Sequence, residues 1–285
     1  MTPARIALLS ALILTTACGS DDDERGSGTA SFEVYGEDFI EAGIPADEVA
    51  DGWDITFERF LVVLGPVSVA DTTAGKGATL EGTTLFDLTA AGPHEMGTTP
   101  ELAARGWDSV GFDIQAASAD TERHSSASEA DLELMLDEGY SVYAEGEATR
   151  DDVTKTFAWG FTGTTEYRDC VEVDARGEEE RLGILVSNGG VTDVQLTIHG
   201  DHLFYDDLTA ENAVLRFDPI AAADDDGNAD GDVTREELEA VLLVDIDEGS
   251  YGTGSASDVN TLGDFVEALT TTLGHYQGEG HCASH

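Results

Sequence analysis

Lysine is almost missing from this chain. Only Lys76 and Lys155 occur in 285 residues, and 13 basic side chains face 59 acidic ones, for a formal charge of −46. A surface of that sign repels phosphate backbones, which excludes nucleic acid as a partner. With acid this abundant, no single Asp or Glu stands out, and no carboxylate dyad can be singled out. Nucleophile elbows of the form Gly-x-Ser-x-Gly, His-Glu-x-x-His helices, phosphate-cradling glycine loops and Cys/His pairs with a base are also lacking. An enzyme, such as a hydrolase of unmarked type, therefore ranks behind a binding protein. The opening apolar run, Ile6 to Leu14, is too short to span a bilayer. Cysteine is scarce as well, at three.

Each of the three cysteines carries meaning. Arg5, the run to Leu14 and the small residues Thr16 and Ala17 before Cys18 have the form of a secretory signal over residues 1–17. A cysteine directly after small residues resembles the lipobox of bacterial lipoproteins, although Thr15 stands where that family prefers leucine. The resemblance implies cleavage before Cys18, lipidation of its sulfur and stable membrane anchoring by several acyl chains. Gly19 and Ser20 after the cysteine imply, by the same family's sorting rule, the outer rather than the inner membrane. Residues 18–30 read as a flexible acidic tether. In an exported chain the remaining pair, Cys170 and Cys282, reads as a disulfide across 282 − 170 = 112 residues. The alternative is two free thiols in a metal site.

From residue 31 to 217 the apolar pattern is mostly period two, punctuated by glycine. This predicts many short antiparallel strands and a mainly β fold, a β-sandwich. Asp54–Asp71 reads as strand, with a turn at Gly65-Pro66. One helix is expected in this body, at SASEADLELMLDEG, with Ser128 as N-cap, Asp131 at the capping-box position and Gly139 as the stop.

The most specific local pattern runs from Asp226 to Glu237. Oxygen-bearing side chains fall at every second position (Asp226, Asn228, Asp230). Gly231 then permits a sharp turn, Val233 is apolar, and Glu237 closes a span of twelve. The stretch resembles the calcium loop of the EF-hand family. That implies one calcium ion held by Asp226, Asn228 and Asp230, the carbonyl of Asp232, Thr234 directly or through water, and both oxygens of Glu237. The flanks predict a short entering helix behind Asp218-Pro219, with Asp218 as N-cap, and an exiting helix over REELEAVLLV. A second helix capped by Ser257 should carry Val259, Leu262, Phe265, Val266, Leu269 and Leu273 on one face. Residues 218–285 are thus expected to form a small helix–loop–helix region. Repulsion among the ligands and Asp224, Asp225, Asp232 and Glu236 is expected to loosen it without the ion. Asp245 and Asp247 begin a second, degenerate loop that lacks the glycine and the closing glutamate. A stunted entering helix also occurs in dockerin-like modules, which implies a protein or glycan partner as one use of such a region.

Histidines cluster late in the chain. His199, Asp201 and His202 stand at the end of a predicted strand, and His275, His281 and His285 lie near the C-terminus. A Cys170–Cys282 bridge would carry that tail back to the β body, where His281 could join His199, Asp201 and His202. Imidazoles with a carboxylate suit zinc or copper. The same residues could equally form a hydrogen-bonded corner beside a solvated tail. Two metal functions are therefore expected to compete, a calcium-stabilised binding module and a zinc- or copper-binding protein.

Overall fold

The structure is a computed structural model that describes residues 26–174, 176, 179–210, 212–246 and 251–285. The signal segment, Cys18, most of the tether and Asp247 lie outside those residues. Ser27 to Ala30, expected in the tether, instead begin the strand Ser27–Gly36, and Ala30 is fully buried.

The chain is mainly β, as its periodicity predicts, and its larger sheet is organised around the strand Asp54–Asp71. Its middle residues Phe60, Leu61, Val62, Val63 and Leu64 are all buried, because both faces of the strand are covered. Phe60, Val62 and Leu64 point into the main core. Leu61 and Val63 pack into a smaller cluster with Leu85, Tyr143 and Met135 of the helix Glu129–Glu138. That helix is capped as expected: Ser128 accepts from the Asp131 N–H, the Asp131 carboxylate returns to the Ser128 N–H, and Gly139 closes it in the left-handed region. Gly65-Pro66 is not a turn. The strand continues through it with a shift of register between Leu64 and Val67.

Val142–Arg150 flanks the long strand on one side and Ser109–Ile114 on the other, both antiparallel. The sheet extends through Val153–Phe161 and Thr165–Val173. The smaller sheet runs in the order Gly274–Tyr276, Val191–Ile198, Ser27–Gly36, His94–Thr98. Here the all-antiparallel expectation fails. Ser27–Gly36 and Val191–Ile198 are parallel, with Gly36 opposite Ile198. Period-two patterning reports which face is buried and is blind to strand direction. The strand order describes two large curled sheets and does not establish a sandwich.

The expected C-terminal helical region is likewise not a separate unit. Its helices are short, Asp218–Asp226, Arg235–Ala240 and Leu262–Leu269. Pro219 sits in the first turn as expected, but Phe217 rather than Asp218 occupies the N-cap position. The exiting helix stops at Ala240, where Val241 turns extended and Leu242 bridges to Thr261. The later helix starts from Thr261 and not Ser257, because the Thr261 hydroxyl and the Asp264 carboxylate form a reciprocal capping box. Ile220, Val233, Leu238, Leu262, Val266 and Leu273 all enter the same core as Phe32 and Phe60. After that helix the chain returns to the sheets. Gly274–Tyr276 pairs with Val191–Ile198, and His281–Ser284 pairs with Thr165–Val173. The Cys170–Cys282 disulfide locks this return. On the chain-entropy account a loop of that length contributes roughly 4–5 kcal/mol.

Candidate metal centre

Parallel pairing sets the geometry of the site. The residues just beyond Gly36 and Ile198 are Glu37 and His199, so the two parallel strands deliver a carboxyl and an imidazole to the same end of the sheet. The Glu37 N–H donates to the Ile198 carbonyl at 3.1 Å. On the other side Thr197 lies opposite His275, and the His199 N–H donates to the Leu273 carbonyl at 2.9 Å. A single 3₁₀ turn, Asp201–Phe204, then folds Asp201 and His202 back over the strand end. Gly200 makes that turn possible, since a Cβ there would stand 2.5 Å from Ile40 Cγ1.

Three imidazoles meet as a result. His199 and His275 stack with ring centroids 4.0 Å apart, and His202 lies 5.4 and 5.1 Å from them. One ligand atom from each of His199, His202 and His275 falls within 4.8 Å of the others, and the same holds for Glu37, His199 and Asp201. His199, Asp201 and His202 are 5%, 5% and 8% exposed. His199 Nε2, His275 Nδ1 and Asp201 Oδ1 are buried without a hydrogen-bond partner. Buried polar atoms are seldom left so, because each costs about 1–3 kcal/mol. A metal ion bound by these groups removes that cost.

Protonation suits a metal. Burial first, and neighbouring His202, depress the His199 pKa to about 4. Burial holds His202 at about 4 against the pull of Asp201. His275 is held at about 3 by burial and by His199. All three rings are therefore neutral near pH 7, the form that ligates. The tautomer of His202 follows from its neighbour. The Thr272 hydroxyl donates its one proton to the Leu269 carbonyl at 2.8 Å. At 2.9 Å from His202 Nδ1 it can only accept, so Nδ1 carries the hydrogen and Nε2 presents its lone pair. On the acidic side, Glu37 is pushed up to about 9, by burial and then by its contacts with Asp201. Tyr205 Oη donates to Asp201 Oδ2 at 2.9 Å.

His199, Asp201 and His202 thus come together as the sequence suggests, but His281 does not complete them. It lies exposed at the start of His281–Ser284, opposite Val171, and its charge acts on His275. The completing imidazole is His275, which falls within the stretch expected to be helical and lies instead in the strand Gly274–Tyr276. Glu37 carries no sequence signal at all, since its closeness to His199 is created by the parallel register.

The acidic loop has a different character. Gly231 has φ +93°, as the sharp turn requires. Asn228 Oδ1 accepts from the Asp230 N–H at 2.9 Å, and Asp230 Oδ1 from the Asp232 N–H at 3.0 Å. Glu237 closes a capping box on Thr234, taking its N–H and hydroxyl on Oε2, while Oε1 accepts from the Asn228 N–H at 3.3 Å. Asp226, Asn228, Asp230 and Asp232 are exposed. Val233 is fully buried beside Phe157, and its carbonyl accepts from Trp159 Nε1 at 2.8 Å. The expected repulsion at Asp224 and Asp225 is absent, because Lys155 forms ion pairs with both. Asp224, wholly buried, also accepts from the N–H groups of Asp230 and Gly231. Burial works to raise its pKa, but Lys155 and the two N–H groups outweigh that and hold it below the usual carboxylate range. A groove of about 920 Å³ beside the loop is lined by Pro219, Ala222, Val241 and Leu242 among others and includes none of the imidazoles.

No family model matches the chain, and no curated protein does either. Among solved structures it is similar to MbnP from Methylosinus trichosporium, at 11% identity and a TM-score of 0.32, over 62% of this chain and 77% of that one. A likeness that slight identifies neither fold nor function.

Proposed function

We propose that this protein binds a transition-metal ion, zinc or copper, through His199, His202 and His275. One observation carries the reading: three buried imidazoles from separate segments bring ligand atoms within 4.8 Å of one another, and two of their nitrogens lack any partner. Nitrogen donors of this kind suit zinc and copper over calcium or magnesium. Burial of the site favours retention of the ion over rapid exchange with water. The test is calorimetric titration of the chelator-stripped protein with zinc and, separately, with copper(II). Tight uptake that is lost in His202→Ala and His275→Ala but kept in His281→Ala is expected. Equal uptake by all four proteins would sink the reading.

A second reading, one calcium ion at Asp226–Glu237, draws support from the positive φ of Gly231 and the anchoring of Val233 on Val153–Phe161. In this reading calcium is structural and tightens the chain from Pro219 onward. A calcium heat abolished by Glu237→Gln, together with stronger amide-exchange protection after Pro219, is expected. Unchanged protection on calcium removal would rule the structural role out. The disulfide fits an oxidising, exported setting. Lipid anchoring at Cys18 belongs to the same reading, and a Cys18→Ser variant found still in the membrane fraction would refute it.

A further inference from the structure

The geometry points to a second metal position in the same cavity, held by Glu37, Asp201 and the Nδ1 edge of His199, with the His199 ring bridging two ions. The inference rests on the reading that the imidazole triad holds the first ion.

The five donors fall into two triads that share only His199. A zinc or copper ion with bonds of roughly 2.0–2.2 Å keeps its ligands within about 4.4 Å of one another. Five donors sorted into two groups at a wider limit of 4.8 Å are not one coordination sphere. His199 is placed to serve both. Its Nδ1 faces Glu37 Oε2 at 3.6 Å, and its Nε2 is buried and unpartnered.

A simpler arrangement would make Glu37 an outer partner that only orients the His199 ring. Two features speak against it. The 3.6 Å separation is longer than a hydrogen bond. The Asp201 side chain is 95% buried by its residue exposure of 5%, with Oδ2 taken by Tyr205 and Oδ1 left bare. An orienting role for Glu37 leaves Oδ1 with no partner except the Glu37 carboxyl itself. Asp201 and Glu37 also touch, since the Asp201 N–H lies 3.5 Å from Glu37 Oε1, and the other charged group that acts on Glu37 is acidic too, Glu279. Two buried carboxyls with no cation between them are unfavourable as a carboxylate pair, and Glu37 holds a proton in response. A divalent ion compensates both and occupies the bare oxygen.

The two positions differ in chemistry. The first is all nitrogen, and the second offers two carboxylates and one imidazole, a set that accepts zinc readily and copper(I) poorly. When both fill, the second ion takes the place of the His199 Nδ1 proton and of the proton held on Glu37. Both protons leave to water, and the ring bridges as imidazolate.

Zinc stoichiometry tests this on the purified, chelator-stripped protein. Two equivalents retained after dialysis are expected, falling to one in the Glu37→Gln/Asp201→Asn double variant. One equivalent in the unaltered protein overturns the second position and leaves the first standing, whereas none overturns both. Two equivalents that persist in the double variant put the second ion elsewhere and also overturn it. Should that variant not fold, the unaltered protein loaded with copper(II) decides. Two ions sharing an imidazolate couple magnetically, so a paramagnetic resonance signal well below two spins supports the bridge, and full intensity overturns it.

Discussion

The imidazole cluster and the acidic loop are both candidate metal sites, yet their unliganded states are opposites. In the loop near its turn, Asn228, Asp230 and Glu237 hold backbone N–H groups, and Lys155 forms an ion pair with Asp224. In the cluster, buried donors stand bare, and the contact of Thr272 with His202 Nδ1 leaves the Nε2 lone pair free. The loop holds its turn without an ion and is expected to bind calcium weakly, tightening the chain after Pro219 without a large change in shape. The cluster carries an unrelieved desolvation cost and is expected to gain far more from its ion. Closeness of ligand types in sequence therefore says little about strength of binding. What matters is whether the donors are already occupied.

The sharpest way to break this contrast is to remove one imidazole. His275→Ala is expected to weaken zinc binding by more than about 100-fold, beyond the usual cost of losing an outer-shell partner, and to leave any calcium heat unchanged. A calorimetric titration that found zinc binding within a few-fold of normal would place the metal elsewhere. Lys155→Met attacks the other side. It leaves Asp224 buried with no counter-charge and is expected to cost about 3–5 kcal/mol in urea unfolding, with zinc affinity intact. A loss under about 1 kcal/mol would mean that Asp224 takes up a proton or reaches water.

Acid should separate the two regions further. In the metal-free protein, the depressed His199, His202 and His275 are neutral when folded, while in the unfolded chain they protonate around the ordinary histidine value of 6.5. Their contribution is complete above pH 6.5 and is lost as pH falls from there toward 4 and 3. Asp224, also depressed, contributes above the ordinary aspartate value of 3.8 and fails only below it. Glu37 runs the other way: its contribution is whole below the ordinary glutamate value of 4.5 and is lost as pH rises toward 9. Stability between pH 6.5 and 4 should therefore fall through the histidines, and bound zinc should flatten the profile near neutrality. A metal-free profile that is flat from 6.5 to 4 would contradict neutral buried imidazoles.

The smallest effect is expected from Thr272→Val, which removes the acceptor that fixes the His202 tautomer. About a tenfold loss of zinc affinity, the low end for an outer-shell partner, should result with little change in unfolding. No loss at all would show that another group holds the ring.

Local chemistry made part of this molecule readable in advance. Ser128, Asp131 and Gly139 delimit a helix because a capping box and a left-handed stop act within a few residues. Gly231 and Val233 foretell a turn and an anchored bridge for the same reason. Helix ends chosen by tertiary contacts were less legible: Thr261 displaced Ser257 as a cap, and Leu242 left the helix to pair with Thr261. His199, Asp201 and His202 could be grouped because one turn joins them, whereas His281 looked equivalent to His275 on spacing alone.

Amino-acid order by itself determined the mainly β character, the Cys170–Cys282 pairing, the acid surface and the loop at Asp226–Glu237. Each depends on composition, on period, on cysteine number or on contacts between near neighbours. Only the tertiary structure decided that Ser27–Gly36 runs parallel to Val191–Ile198, and that Gly274–Tyr276 adds at the other edge. Those registers bring Glu37 and His275 to either side of His199 at the same end of the sheet. Alternating side chains specify a buried face and not a strand direction or a partner, so a site assembled across three strand ends has no signature along the chain.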